Sequence, residues 1–422
     1  MRYTNSDAWQ RQLLLDSQLP EGFSTGVTNL EFVPQEKPDA GYQPMNLALL
    51  RVDEPTPVFA GVFTQNAFPG WPVLAGKELL QVPTIQGILV NNRVANVGVP
   101  EGLEDSLTVT QALQEQEASP SPFIPSSTGV IGWKLPRVEM VKALGGLSER
   151  SHSLLPFAQA IMTTDSWPKV RRRECGDGSL VGCAKGAGMV EPNLATMLAF
   201  LVTDVAVERD VARRLLSEVV GETFNRISVD GETSTSDSVF LISSCKYPYP
   251  GDDVFRQKLL DVCASLSDDV VRNGEGCGHV MRITVQGAPH DEMAVKLARS
   301  IANAPLTKTA IRGNDPNVGR ILQAAGAAAG RAGLELPREH LVLSIGNRQV
   351  FANGVFQLTE QDEVLLSQYM ADCALPVPST GWPVHFESVE VELNLGLGTG
   401  QGTVTGSDLS EEYVIINADY RT

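Results

Sequence analysis

One succession of patterns limits the folds available to this chain: an apolar run of strand length, a helix-spaced apolar stripe and a second apolar run. Residues 197–205 form the first run and residues 239–242 the second. Between them, from residue 211 to residue 224, apolar residues recur at the three- and four-residue spacing of one helix face. This order predicts an α/β fold, with mixed α and β elements and sheets flanked by helices.

The same two signals recur along the rest of the chain. Short apolar runs or strict alternation predict further strands at residues 47–52, 87–90, 281–286, 389–395 and 413–416. Helix spacing predicts helices at residues 105–117, 137–144, 293–301 and 321–329. The sequence does not repeat itself with a period of 20 to 50 residues, which argues against a solenoid.

Charge and composition narrow the possible partners and the compartment. The formal net charge is −17, from 33 basic and 50 acidic side chains. A charge of this sign repels nucleic acids and anionic membrane surfaces, so neither is expected as a partner. Apolar stretches stay well short of the roughly 20 residues of a membrane span, and the first residues lack the apolar core of a signal peptide. We therefore expect a cytoplasmic protein.

Ala195-Thr196 is the candidate reaction centre. A threonine that follows a small residue and opens an apolar run can be a nucleophile released by self-cleavage. Its freed α-amine, with a pKa of about 7.7–8.0, is partly neutral near neutral pH and can take the hydroxyl proton. The alternative is an ordinary threonine at the start of a strand, where this residue type is common.

A series of short blocks extends the pattern around Thr196. They occupy residues 61–66, 127–132, 162–165, 185–198, 229–235, 272–276, 313–317 and 416–422. With these blocks in this order, the chain resembles the ornithine acetyltransferase family of arginine biosynthesis, also called glutamate N-acetyltransferase. The resemblance extends from about residue 22 to the last residue. One such block is weak support, because short motifs often match by chance, but so many in one order are strong support.

The resemblance implies an enzyme with a self-processed, two-chain acyltransferase fold. Cleavage before Thr196 would give an α chain of residues 1–195 and a β chain of residues 196–422, which pair into a heterotetramer. The implied reaction moves the acetyl group from N2-acetyl-L-ornithine to L-glutamate through an acetyl-threonine intermediate. It requires neither a metal nor an organic cofactor.

The resemblance also implies which residues form the site. The catalytic residues are Thr196, the nucleophile, and Thr128 and Gly129, which match the oxyanion hole. The substrate-binding residues are Thr163, Lys185, Thr196, Glu275, Asn417 and Thr422. By composition, Glu275 lies in an exposed turn. Asn417 and Thr422 can bind substrate only if the tail folds back into the site, because chain termini usually fray.

Two glycine-rich runs have other interpretations. Residues 185–188 lack the residue order of a phosphate-binding loop, so nucleotide binding is disfavoured. Residues 396–402 follow a strand-like run but precede no helix pattern, which disfavours a dinucleotide fingerprint and favours a hairpin.

Three alternatives to the implied reaction stay open. An amidase or aminopeptidase with the same nucleophile would pass the acyl group to water. A paralogue could use a different amino-acid acyl substrate, since Arg93 and Val318 depart from the family pattern, in which a glycine and a tryptophan are usual. A cleavage-dead binding protein could also keep the fold.

Overall fold

The computed structural model describes residues 3–191 and 197–419, which form sixteen β-strands and twelve α-helices. The strands are β1 (Phe23–Phe32), β2 (Gln43–Thr56), β3 (Phe59–Phe63), β4 (Ile85–Asn91), β5 (Phe123–Ser127), β6 (Lys169–Cys175), β7 (Gly178–Lys185), β8 (Leu198–Val205), β9 (Ile227–Ser228), β10 (Ser238–Tyr247), β11 (Val280–Ala288), β12 (Val342–Ile345), β13 (Arg348–Ala352), β14 (Val355–Phe356), β15 (Val389–Asn394) and β16 (Gly400–Ser407). The helices are α1 (Ser6–Asp16), α2 (Trp71–Leu79), α3 (Gly102–Gln116), α4 (Arg137–Ala143), α5 (Leu155–Ala160), α6 (Arg209–Glu222), α7 (Asp252–Arg272), α8 (Asp291–Ala302), α9 (Pro305–Arg312), α10 (Val318–Arg331), α11 (Glu360–Asp372) and α12 (Glu411–Asp419).

The strands form three sheets, each with both parallel and antiparallel pairs. The strand orders are β1-β2-β4-β5, β3-β10-β8-β7-β6 and β14-β13-β12-β15-β11-β16-β9. The parallel pairs are β4 with β5, β8 with β10, β11 with β15 and β9 with β16. Helices alternate with these strands along the chain, so the α/β prediction is confirmed.

The four- and five-stranded sheets pack face to face, with helices on both outer faces. Ile88 of the first sheet and Phe200 of the second belong to one core between the sheets. On the other face of β8, Leu201 packs in a core with Leu215 of α6. Strand β8 is buried at every residue because both of its sides are covered, which explains its continuous apolar run. The outer face of the first sheet packs Leu89 among side chains of α3 and α4.

The seven-stranded sheet has its own core with α8 and α10. Met281, Ile283 and Val285 of β11 are fully buried and share this core with Leu297 and Ile301 of α8. The intervening residues of β11 are only partly buried. The alternation in the sequence therefore marked a strand with one covered face, as predicted. None of the helices within residues 3–191 and 197–419 has both the length and the apolar character needed to cross a membrane.

Two predictions for the C-terminal part are wrong. Residues 413–416 lie in helix α12 and not in a strand. Val414 and Ile415 are each 56% exposed, so this short apolar run does not enter a core. Glu411 and Glu412 occupy the first turn of α12, where negative charge interacts favourably with the helix dipole.

The glycine-rich residues 396–402 do not form a hairpin. Strands β15 and β16 lie on opposite sides of β11, because Ile283 pairs with Val391 on one side and with Val404 on the other. The connection must therefore cross the end of β11. A Cβ atom on Gly400 would lie 2.3 Å from the backbone of His290, so glycine is needed for this close crossing.

Candidate active site

Strand ends from two sheets meet at one place in the fold. Lys185 ends β7 opposite Leu198, the first residue of β8, and Ser238 opens β10 beside Leu198. In the four-stranded sheet, Asn91 and Ser127 are paired at the carboxyl ends of the parallel strands β4 and β5. The segments that follow or precede these ends contribute to a single cavity.

This cavity has a volume of about 300 Å³. Six residues that the sequence predicted for the site line it: Thr128, Gly129, Thr163, Lys185, Glu275 and Asn417. They come from five separate segments of the chain, and tertiary packing therefore brings them together. Their catalytic and binding roles stay predictions.

Thr128 and Gly129 follow β5 directly and turn across the end of β4. The Thr128 N–H donates to the Asn91 carbonyl at 3.0 Å, and the Val130 N–H donates to the Arg93 carbonyl at 2.9 Å. Gly129 has φ = +126°. A Cβ atom there would lie 2.1 Å from the Arg93 carbonyl carbon, so a side chain cannot be accommodated without moving this backbone.

Lys185 and Glu275 approach the cavity from different segments. Lys185 is half-buried at the end of β7, and the segment after it carries Gly188. A Cβ atom on Gly188 would lie 2.4 Å from a carboxylate oxygen of Glu275, so this carboxylate lies directly over the glycine. The Glu275 N–H donates to the Ala187 carbonyl at 2.9 Å, which ties the two segments together. The cavity thus has the cationic side chain of Lys185 and the anionic side chain of Glu275 in its wall.

The loop around Glu275 is more buried than its composition suggested. Asn273 is only 3% exposed and Glu275 is half-buried. Helix α12 and the residue before it cover the loop: the Asn417 side-chain amide donates to Glu275 Oε2 at 2.8 Å, and the Ser410 hydroxyl donates to the Gly276 carbonyl at 2.6 Å. The C-terminal segment therefore folds back to the cavity, as the binding role predicted for Asn417 requires.

Thr163 lies on the exposed loop between α5 and β6, and its backbone is held by a buried carboxylate. The Thr163 N–H donates to Asp165 Oδ2 at 3.1 Å. Burial alone raises the pKa of Asp165, but Lys169 and Lys185 outweigh burial and lower that pKa to about 2. Asp165 is consequently ionised at neutral pH.

Three predicted site residues, Ala195, Thr196 and Thr422, lie outside the described residues. Glu191 and Met197, the described residues on either side of the segment around Thr196, are both held by backbone hydrogen bonds. Met197 lines the cavity, and its carbonyl accepts from the Ser238 N–H at 3.1 Å. On the other side, the Glu191 N–H donates to the Glu232 carbonyl at 3.0 Å.

Part of the cavity wall received no role from the sequence. Ser234 and Thr235, which end the block at residues 229–235, line the cavity, and so do Ser236 and Asp237, which lie beyond the block. The Ser236 hydroxyl oxygen is buried without a hydrogen-bond partner among the described residues. The polar block at residues 229–235 ends directly before Ser236, and it is the sequence signal that could have pointed to this residue.

Comparison with known proteins decides the family. Residues 37–422 match the model of the ArgJ family. The chain belongs to the ArgJ family. It is 38% identical to the arginine biosynthesis bifunctional protein ArgJ of Dehalococcoides mccartyi, over 96% of each chain. The family predicted from the blocks is confirmed, and the protein is an enzyme of that family.

Two solved structures match part of the chain. The crystal structure of ArgJ from Bacillus halodurans is 32% identical, with a TM-score of 0.47, over 53% of this chain and 100% of that chain. The ornithine acetyltransferase of Mycobacterium tuberculosis complexed with ornithine is 29% identical, with a TM-score of 0.35, over 43% of this chain and 97% of that chain.

The two residues that depart from the pattern expected of the family, Arg93 and Val318, have different surroundings. Arg93 adopts φ = +75°, a conformation that favours glycine, and its guanidinium donates to Gln43 Oε1 at 2.7 Å. Its segment reaches the cavity wall through Ala95. Val318 is buried in the core of the seven-stranded sheet with Ile321. Of the two residues, Arg93 is therefore the one connected to the cavity, because its backbone contacts Gly129 in the cavity wall.

Proposed function

We propose that the protein cleaves its own chain between Ala195 and Thr196 and then transfers the acetyl group of N2-acetyl-L-ornithine to L-glutamate through acetyl-Thr196. The observation that carries the proposal is the cavity of about 300 Å³ whose wall includes Met197, Thr128 and Lys185. Met197 directly follows Thr196 in the chain. The predicted nucleophile thus has a chain neighbour in the same wall as the predicted oxyanion and carboxylate partners.

Self-cleavage forms one ester and then breaks it. The Thr196 hydroxyl attacks the Ala195 carbonyl, and the peptide nitrogen leaves as the α-amine of Thr196. Water then hydrolyses the Ala195–Thr196 ester to a carboxylate and a free hydroxyl. The products are an α chain of residues 1–195 and a β chain of residues 196–422. The amine and hydroxyl of Thr196 are then base and nucleophile on one residue.

Acetyl transfer repeats this chemistry with a substrate amide. The Thr196 hydroxyl attacks the acetyl carbonyl while the α-amine accepts its proton. Thr128 and the Gly129 N–H stabilise the tetrahedral oxyanion; in known cases, loss of one such donor adds about 2.7–4 kcal/mol to the barrier. The C–N bond breaks, and ornithine leaves with the proton on its amine. The amine of glutamate then attacks the acetyl ester, which forms acetylglutamate and restores the hydroxyl.

The charges in the cavity wall suit an amino-acid substrate. The Lys185 ammonium can pair with the α-carboxylate that acetylornithine and glutamate share. The Glu275 carboxylate, oriented by Asn417, can accept from the side-chain amine of ornithine. We further propose that the protein is cytoplasmic and that the two chains assemble as a heterotetramer; the mass of the native complex tests the assembly.

The first experiment measures the mass of the purified protein and its products. We expect the wild type to run as two chains and the Thr196→Ala variant to stay as one chain, with Thr309→Ala, an exposed helical threonine, as the matched control. An uncut wild type that is fully active would contradict the mechanism.

Product analysis separates transfer from hydrolysis. With acetylornithine and glutamate, we expect ornithine and acetylglutamate in equal amounts. Release of acetate at the same rate without glutamate would instead identify an amidase-type hydrolase.

A further inference from the structure

A fully buried ion pair lies next to the cavity segments, and the proposed reaction uses neither of its members. Asp165 Oδ1 is 2.5 Å from Lys169 Nζ, and both side chains are 0% exposed. Burying two charges is costly, because the loss of hydration can exceed the attraction between them. A stabilising contribution to the fold therefore does not by itself explain the pair. Its bonding partners therefore indicate what it does.

The Asp165 carboxylate joins two segments of the cavity wall. Its Oδ2 accepts from the Thr163 N–H at 3.1 Å, and its Oδ1 accepts from the Gly186 N–H at 2.9 Å. Thr163 lines the cavity, and Gly186 directly follows Lys185 at the end of β7. A single carboxylate thus sets the distance between the Thr163 loop and the Lys185 backbone.

Lys169 extends the same network to a third segment. Its ammonium donates to Asn273 Oδ1 at 2.8 Å, and that oxygen also accepts from the Ser166 N–H at 3.1 Å. Asn273 is two residues before Glu275 and is itself 3% exposed. The third segment is therefore held by a charge-assisted bond inside the protein, where such bonds are strong and directional.

We propose that Asp165, together with Lys169, is a positioning residue of the substrate site. The pair holds Thr163, Lys185 and Glu275 in one arrangement and so sets the affinity for the amino-acid substrate. The inference rests on the proposed function, because that function assigns substrate groups to Lys185 and Glu275. Asp165 itself does not act on the reacting atoms, so its loss is expected to change binding more than chemistry.

The main test compares the double variant Asp165→Asn/Lys169→Met with the wild type. The double variant removes both charges, which avoids leaving one of them buried and unpaired. We expect self-cleavage to proceed, because Thr128 and Gly129 are held by β4 and β5 instead. The KM for acetylornithine and the calorimetric Kd for ornithine should rise at least about tenfold, the effect of losing about one hydrogen bond to a charged group, while kcat changes less.

A second variant tests the contact of the network with the segment at Asn273. Lys169→Met alone leaves Asp165 bonded to the Thr163 and Gly186 N–H groups and removes the ammonium from Asn273 Oδ1, which keeps only the Ser166 N–H. The unpaired Asp165 carboxylate also lowers the stability of this variant. We expect weaker binding of ornithine, whose side-chain amine pairs with Glu275, and an unchanged KM for glutamate. This split is not expected of a residue that only stabilises the fold.

The control removes another charge pair, Glu117 and Arg150, which lies outside the cavity wall. Glu117→Gln/Arg150→Met should leave KM and Kd unchanged. The inference is overturned if the Asp165 and Lys169 variants fold, cleave themselves and keep wild-type KM and Kd. A wild type that neither cleaves nor transfers acetyl overturns the proposed function instead, and ornithine binding then still tests the positioning role.

Discussion

Gly129 shows how one residue type can be required in the cavity wall. Its φ of +126° is unfavourable for other residues, and the Arg93 backbone occupies the place of a Cβ atom. The neighbouring Thr128 needs no such freedom and is bonded through its backbone to Asn91. At this scale the sequence identified both residues through a resemblance, and the structure supplies the steric reason for the glycine.

Gly129→Ala tests this reason. The added methyl group must displace the Arg93 backbone and with it the N–H predicted to stabilise the oxyanion. We expect kcat to fall by about 10²–10³, the effect of losing one such donor. The assay is acetyl transfer by the purified variant.

Gly132→Ala is the matched control for that variant. Gly132 also has a positive φ, of +85°, but a Cβ atom there would have no atom within 4 Å. It should cost some stability and leave kcat nearly unchanged. Equal losses of kcat in both variants would show that backbone strain, and not displacement of Arg93, is responsible.

At the scale of elements, helix α12 and the loop at residues 273–276 act together. The loop approaches the helix so closely that a Cβ atom on Gly276 would lie 2.4 Å from the Tyr413 backbone nitrogen. Contact of the helix with Glu275 is made by Asn417. The sequence predicted a strand at residues 413–416 because a four-residue apolar run does not distinguish a strand from a helix turn.

Gly276→Ala is expected to displace α12 from this loop. Because Glu275 then loses the Asn417 amide, the KM for acetylornithine should rise about tenfold or more, by the energy of about one hydrogen bond to a charged group. Steady-state kinetics at saturating glutamate measure this change.

Gly221→Ala is the control for Gly276→Ala. Gly221 lies in α6, and a Cβ atom there would have open space around it. The exchange should leave KM unchanged and raise thermal stability slightly, because alanine is the better helix former. An unchanged KM in Gly276→Ala would refute the role assigned to α12.

At the scale of the whole molecule, the cavity depends on how two sheets are held against each other. Phe200 lies in the core between them, stacked on Phe240 with ring centroids 5.9 Å apart and edge-on to Phe157 at 5.0 Å. Lys185 and Leu198 come from one of these sheets, whereas Thr128 follows a strand of the other. Packing between the sheets therefore sets the geometry of the site.

Phe200→Ala should weaken this arrangement as a whole. Removing a buried phenylalanine typically costs about 3–5 kcal/mol of unfolding free energy, from lost burial and the cavity left behind. We expect a large drop in the midpoint of urea unfolding, together with lower transfer activity. Phe356→Ala, at a position that is 63% exposed, should change the midpoint little. Similar drops in both variants would contradict the two-sheet core as the main support of the site.

The sequence by itself determined the α/β class, part of the strands and helices, the family and the candidate residues of the site. These follow from local periodicity and from short blocks that keep their order along the chain. Tertiary structure alone decided that Glu275 is half-buried under α12, that residues 396–402 cross β11, and that Asp165 and Lys169 join three segments of the cavity wall. Each of these depends on contacts between residues far apart in the chain, and neither periodicity nor spacing records which distant segments will meet.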